Sequence, residues 1–182
     1  LLILPLTTIG YAAPGAVLGI GILVPLAYFD NWLADRIFDL TRYDPGLIFT
    51  GTSIAIILAY CVRFFSIAQQ TVDGALGRVS PSLPNAARSL GRNKLQVLWE
   101  IYRPLISAST ATALLLVFVD CVKELPATML LRPFNFETLA TRVHVQASLE
   151  DLPNAAPGAI LIVLIGLCAV FLLARVNKQI SH

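Results

Sequence analysis

Charge is scarce in this sequence: only 13% of its 182 residues are Asp, Glu, Lys or Arg, while 57% are hydrophobic. Ordinary soluble domains carry about 25% charged residues, so the composition excludes a water-soluble globule and indicates an integral membrane protein. The net charge of +2 comes without any basic run, which excludes a nucleic-acid partner. Cysteine is scarce too. Cys61, Cys121 and Cys168 lie far apart in apolar stretches, without metal-ligand or redox spacing, and are expected to be small buried hydrophobes. No phosphate-binding loop ending in Lys, no Cys-x-x-Cys and no His-Glu-x-x-His is present. The chain is therefore expected to be no enzyme, with no catalytic centre, no bound metal and no cofactor. Neither an initiating Met nor a basic stretch precedes the first apolar run, so the start is not read as a signal peptide. The sequence reads as a piece of something longer, with Arg175 to His182 as a natural C-terminus.

Long apolar runs, in contrast, are abundant. Crossing the hydrocarbon core takes about 20 mostly apolar residues in a helix, and four stretches qualify: about Ile9 to Phe29, Leu47 to Ala68, Leu105 to about Val122, and Ala155 to Ala174. Each is apolar around its whole circumference, which suits contact with lipid. The predicted fold is an all-α polytopic transmembrane helix bundle of about four spans, in a single domain over residues 1–182.

The connections predict orientation. Asp30, Asp35, Asp39 and Asp44 outnumber Arg36 and Arg42 between the first two spans. Between the second and third, Arg78, Arg88, Arg92, Lys94 and Arg103 outnumber Asp73 and Glu100, and Arg63 borders the same side. Basic loops stay in the cytoplasm, so the 69–104 loop and the tail with Arg175 and Lys178 are expected there. Pro14-Gly15, Gly19, Gly21, Pro25, Pro157-Gly158 and Gly166 fall inside spans, where small residues let helices approach closely. Tyr11 and Tyr28 suit an interfacial aromatic belt. Tyr60 offers a phenol oxygen, a ligand type that suits a hard metal ion, and His144 reads as a solvated or capping side chain.

The 69–104 loop is the most informative segment. Ser82 or Pro84 suits a helix start. Asn85 to Leu90 then form a short helix, and Gly91 stands where a glycine ends one. Leu95, Leu98, Trp99 and Tyr102 follow at helical spacing as an amphipathic face, and Pro104 marks entry to the third span. The run Asn85-Ala86-Ala87, Gly91, Ile101, Arg103-Pro104 resembles the cytoplasmic motif of the permeases of binding-protein-dependent ABC importers. That motif reads Glu-Ala-Ala, three residues, Gly, nine residues, Ile, one residue, Leu-Pro. Asn85 stands for the glutamate, keeping a hydrogen-bonding side chain without charge, and Arg103 stands for the leucine.

The resemblance implies that this loop is a coupling helix docking on an ATP-hydrolysing partner, with Asn85, Ala86, Ala87, Gly91, Ile101 and Pro104 as coupling residues. It further implies an ATPase subunit dimer, a periplasmic substrate-binding protein, a second permease half and membrane lipid as partners, and the bacterial inner membrane as location. The run Lys123-Glu124-Leu125-Pro126-Ala127-Thr128, followed by Leu130-Leu131-Arg132-Pro133 and Thr138-Leu139-Ala140, is similar to ferric iron permeases. Gly10 to Gly15 and Arg78 to Ser82 carry the same likeness. The implied protein is the C-terminal half of a permease that moves ferric iron.

Asp120, Lys123 and Glu124 lie at i, i+3 and i+4, share a helix face and are expected to pair. Two readings stay open for them: a gate or substrate path with Pro126, or an ion pair at a helix end near the membrane surface. Pro126 is expected to break the helix and leave 125–131 bent or partly re-entrant. Within the transporter class, thiamine, a polyamine or a phosphonate is the alternative substrate. Outside it stand an ion-coupled secondary carrier, disfavoured by span centres read as nearly uncharged, and a purely structural subunit.

Overall fold

The computed structural model describes residues 10–180, with side chains through Arg175. Its helices are α1 (Gly15–Thr41), α2 (Ser53–Leu76), α3 (Ser82–Ser89), α4 (Lys94–Val97), α5 (Arg103–Lys123), α6 (Pro126–Leu131), α7 (Leu139–Ser148) and α8 (Leu152–Ile180). A π-helical turn, Leu98–Tyr102, joins α4 to α5. Four helices are long and apolar enough to cross a membrane: Gly15–Thr41, Ser53–Leu76, Lys94–Lys123 and Leu152–Arg175. The expected all-α bundle with four spans is what the chain forms. The start near Ile9 and the tail beyond Arg175, with Lys178, lie outside the residues whose side chains are described.

Span boundaries differ from the sequence expectation in an instructive way. The first helix does not stop at Phe29 but continues for another turn after turn to Thr41, carrying Asp30, Asp35, Arg36 and Asp39 with it. Charged residues do not end helices; proline and glycine do, and neither occurs between Pro25 and Pro45. Its 27 residues measure about 40 Å, more than the ~30 Å hydrocarbon core. The second helix likewise runs on to Leu76, shortening the predicted 69–104 loop.

The described residues fall into two compact units, 10–66 with 120–164, and 67–119 with 165–180. In the first unit the core is Leu18, Ala55, Ile56, Ala59 and Leu131, with Ile22, Leu23, Leu26 and Tyr60 packed on it. α2 turns Ala55 and Ala59 inward and leaves Ile54, Ile57, Leu58 and Val62 exposed. Small residues inside and large ones outside suit close helix packing in lipid. α6 packs on α1, and glycine makes that possible: a Cβ on Gly19 would stand 3.0 Å from Leu130 Cδ1.

Two polar readings are corrected here. The cysteines are not buried: Cys61 and Cys168 are exposed and Cys121 is half-buried, all as free thiols. A thiol on an uncovered helix face is compatible with an apolar solvent, so the sequence pattern did not require protein around it. Nor are the span centres nearly uncharged. Asp30, near the midpoint of α1, is fully buried, and its carboxylate accepts the N–H groups of Ile48 (3.1 Å), Phe49 (2.9 Å) and Thr50 (2.5 Å). Those three donors precede α2, so Asp30 fastens the α1–α2 connection to α1.

Candidate functional site

Two constellations carry polar or strained geometry. The first, in the second unit, is the predicted helix–glycine–helix loop. α3 begins at Ser82, with Pro81 at its N-cap and no side-chain cap, since proline offers no side-chain acceptor; the Ser82 and Ser80 hydroxyls lie 2.7 Å apart. Asn85 and Ala86 are exposed and Ala87 is half-buried. At the helix end Arg92 donates to the Ala87 carbonyl at 3.0 Å and Gly91 to Arg88 at 3.0 Å, the paired bonds of a Schellman stop. Gly91 takes φ +83°, a left-handed conformation that any side chain would strain. Gly91 is thus where the sequence placed it, and for the same reason.

Asn93 starts the next helix with a capping box: its side chain accepts Gln96 N–H at 2.9 Å, and Gln96 Oε1 accepts Asn93 N–H at 2.9 Å. The Asn-x-x-Gln spacing is the sequence signal for it. The predicted apolar face is not packed: Leu95, Leu98 and Trp99 are exposed, and Val97 is the buried side chain. Trp99 meets the Arg103 guanidinium at 4.9 Å from its ring centroid, a cation–π contact, and Arg92 pairs with Glu100 at 3.2 Å. Pro104 stands in the first turn of α5, at the entry to the third span. The π turn containing Ile101 precedes it, with Arg103 N–H reaching the Leu98 carbonyl. Proline has no N–H to give and crowds the carbonyl four residues back; a wider turn accommodates it. One helical rod therefore runs from Lys94 to Lys123.

The second constellation, in the first unit, surrounds the end of that rod. The helix stops at Lys123, Glu124 and Leu125 are non-helical, and Pro126 starts α6 at its first turn. Asp120 and Lys123 pair as expected, at 2.7 Å. Glu124 does not join them. It turns inward to 7% side-chain exposure and meets Arg63, 17% exposed, whose Nε lies 3.1 Å from Oε2 in ionic contact, off the line of a hydrogen bond. Leaving the helix at Lys123 removes Glu124 from the face it would have shared with Asp120. Arg63 consequently sits near the middle of α2 and does not border a loop. A single charge within an otherwise uncharged span was the signal for it.

Around this pair, Arg63 Nη1 donates to the Ala13 carbonyl at 3.0 Å and Glu124 Oε1 accepts Ala127 N–H at 3.3 Å. The Tyr60 and Thr128 hydroxyls lie 2.6 Å apart. That bond occupies the Tyr60 phenol read as a metal ligand. Thr128 and Ala127 are fully buried, so α6 continues along α1 and α2 beyond the break: Glu124 meets Arg63, Thr128 meets Tyr60, and Leu131 reaches Ala55, Ile56 and Ala59. The third span ends at Lys123, and α6 is a separate short helix packed beside α1 and α2. His144 is exposed, as are Tyr11 and Tyr28. Among the described residues, no group of three or more His, Cys, Asp or Glu side chains is placed to hold a metal ion.

The profile of the binding-protein-dependent transport system inner membrane component matches residues 1–182. The chain belongs to that family. This inner-membrane component is 31% identical, over 88% of its own length, to the Fe(3+)-transport system permease protein FbpB 2 of Haemophilus influenzae. It is 29% identical over 85% to the ferric transport system permease protein FbpB of Actinobacillus pleuropneumoniae. It is also 30% identical over 79% to a putative 2-aminoethylphosphonate transport system permease protein PhnV of Salmonella typhimurium. The chain spans 29%, 21% and 54% of these three relatives. With four helices fit to cross a bilayer, it is a multi-pass inner-membrane protein.

Proposed function

We propose that this chain is the C-terminal half of an ABC importer permease for ferric iron, one transmembrane permease domain working with an ATPase dimer and a periplasmic binding protein. The observation that carries the transport reading is the Gly91 stop at φ +83°, set between α3 and a rod that continues into the third span. A short helix hinged in that way passes on a displacement only if its far side is continuous with a span, and here it is. In this reading α3 docks on the ATPase through Asn85, Ala86 and Ala87. Gly91 forms the turn, and Ile101 and Pro104 lie where the rod widens before the membrane. The loop and the C-terminal tail face the cytoplasm, as the basic residues Arg78, Arg88, Arg92, Lys94 and Arg103 favour. ATP hydrolysis belongs to the partner, whose rotation shifts the span as a body.

Ferric iron as the substrate rests on the two ferric relatives, which cover more of this chain than the phosphonate one does. A phosphonate is the second reading, favoured by the greater share of that relative which the chain spans. In both, Asp120, Lys123, Glu124 and Pro126 border the substrate path at the junction between the third span and α6, and the other permease half and lipid cover the exposed helix faces.

The full-length permease, reconstituted with its ATPase, tests this. Iron-loaded binding protein should stimulate ATP hydrolysis, and 2-aminoethylphosphonate with its cognate binding protein should not; the reverse pattern selects the second reading. Gly91→Val should insert and still bind nucleotide through the partner, yet lose the stimulation. Undiminished stimulation in that variant would remove the coupling role of the turn.

A further inference from the structure

Two interrupted helices meet on one guanidinium. The chain leaves helical conformation at Ala13 and Pro14, before α1, and again at Glu124 and Leu125, between α5 and α6. Arg63, on the continuous α2, reaches both: it donates to the Ala13 carbonyl and faces the Glu124 carboxylate. Glu124 in turn holds the first turn of α6 through Ala127 N–H. Gly15 keeps this junction open, since a Cβ there would stand 2.7 Å from Glu124 Oε1 and 3.3 Å from Arg63 Nη1.

A permanent tie would not need charge. Well-packed apolar residues of similar volume hold helices together at least as well as a buried ion pair, and ionisable residues within membrane spans are rare because they are costly. What an ion pair adds is reversibility: it opens when water reaches it and closes when water leaves. Its position matters for the same reason, because non-helical junctions between helices are the places where one helix is able to swing against another.

We propose that Arg63 and Glu124 form a reversible latch across the junction between the third span and α6, closed in this structure and opened during each transport cycle so that α6 swings against α1. Arg63 is then a positioning residue for transport. Its use in transport rests on the reading above, whereas the latch itself is tested without substrate.

Cys121, half-buried and three residues before Glu124, is a native reporter, because maleimide alkylation requires water at the thiol. The full-length permease with its ATPase, in proteoliposomes, is alkylated with and without ATP trapped by vanadate, and the Cys121 peptide is followed by mass spectrometry. Trapping should speed alkylation of the wild type about tenfold. Glu124→Gln keeps the shape and an acceptor for Ala127 N–H but removes the charge; it should alkylate fast in both states. Arg63→Gln should match it, and Arg63→Lys should restore part of the nucleotide dependence. A merely structural pair would change yield or melting and leave that dependence untouched. Nucleotide-independent alkylation of the wild type, or wild-type behaviour of Glu124→Gln, overturns the latch. Nucleotide-dependent alkylation without iron uptake leaves the latch standing and removes only the substrate.

Discussion

Asp30 shows how one buried side chain decides a connection. Among the described residues no cation pairs with its carboxylate; backbone N–H groups of Ile48, Phe49 and Thr50 supply the compensation. Hydrogen bonds to a charged acceptor contribute about 1.5–3 kcal/mol each, less than additively. Asp30→Ala should therefore cost about 2–3 kcal/mol, read as a lower melting temperature in detergent. Asp30→Asn should fall between, since its amide offers one acceptor and turns two donors toward donors. Equal melting of all three would mean that the connection is held elsewhere. Asp30 and Arg63 were visible in the sequence only as charges within or beside apolar runs. Their partners lie 18 or more residues away, beyond any spacing rule, which is why Glu124 was paired with its helical neighbours instead. Gly91 was legible because its reason is local: a helix end needs a left-handed residue.

At the scale of elements, the four spans were legible from apolar length, and their ends were not. Hydropathy reports where lipid contact stops, whereas a helix stops only where backbone hydrogen bonding does, at Arg42 with its positive φ or at Lys123, just before Pro126. The same distinction separates the loop as expected from the loop as formed. Its two helices were readable from Ser82, Gly91 and the apolar spacing, but the π turn before Pro104 reflects three-dimensional crowding that spacing does not express. The joint between α1 and α6 depends on Gly15 and Gly19, four residues apart on one face of α1. Gly15→Val should drive a side chain into Glu124 and part the pair from Arg63. The expected signs are a lower melting temperature and rapid Cys121 alkylation without nucleotide. Unchanged values for both would show that the helices are not in register as described.

For the whole molecule, family membership, four helices able to cross a membrane and the glycine-stopped loop converge on the membrane component of a transport system. Composition already excluded a soluble enzyme, and the loop spacing pointed to the permease class. The substrate was not legible from physics: nothing among the described residues gathers ligands for a ferric ion, so that assignment depends on the likeness to named relatives. The most direct measurement is uptake of radiolabelled ferric iron into proteoliposomes holding the full-length permease, its ATPase and its binding protein. The account predicts accumulation that needs both ATP and iron-loaded binding protein, and that Gly91→Val abolishes. Assembly with ATP hydrolysis but no iron accumulation would contradict the ferric assignment, and uptake independent of ATP would contradict the coupling itself.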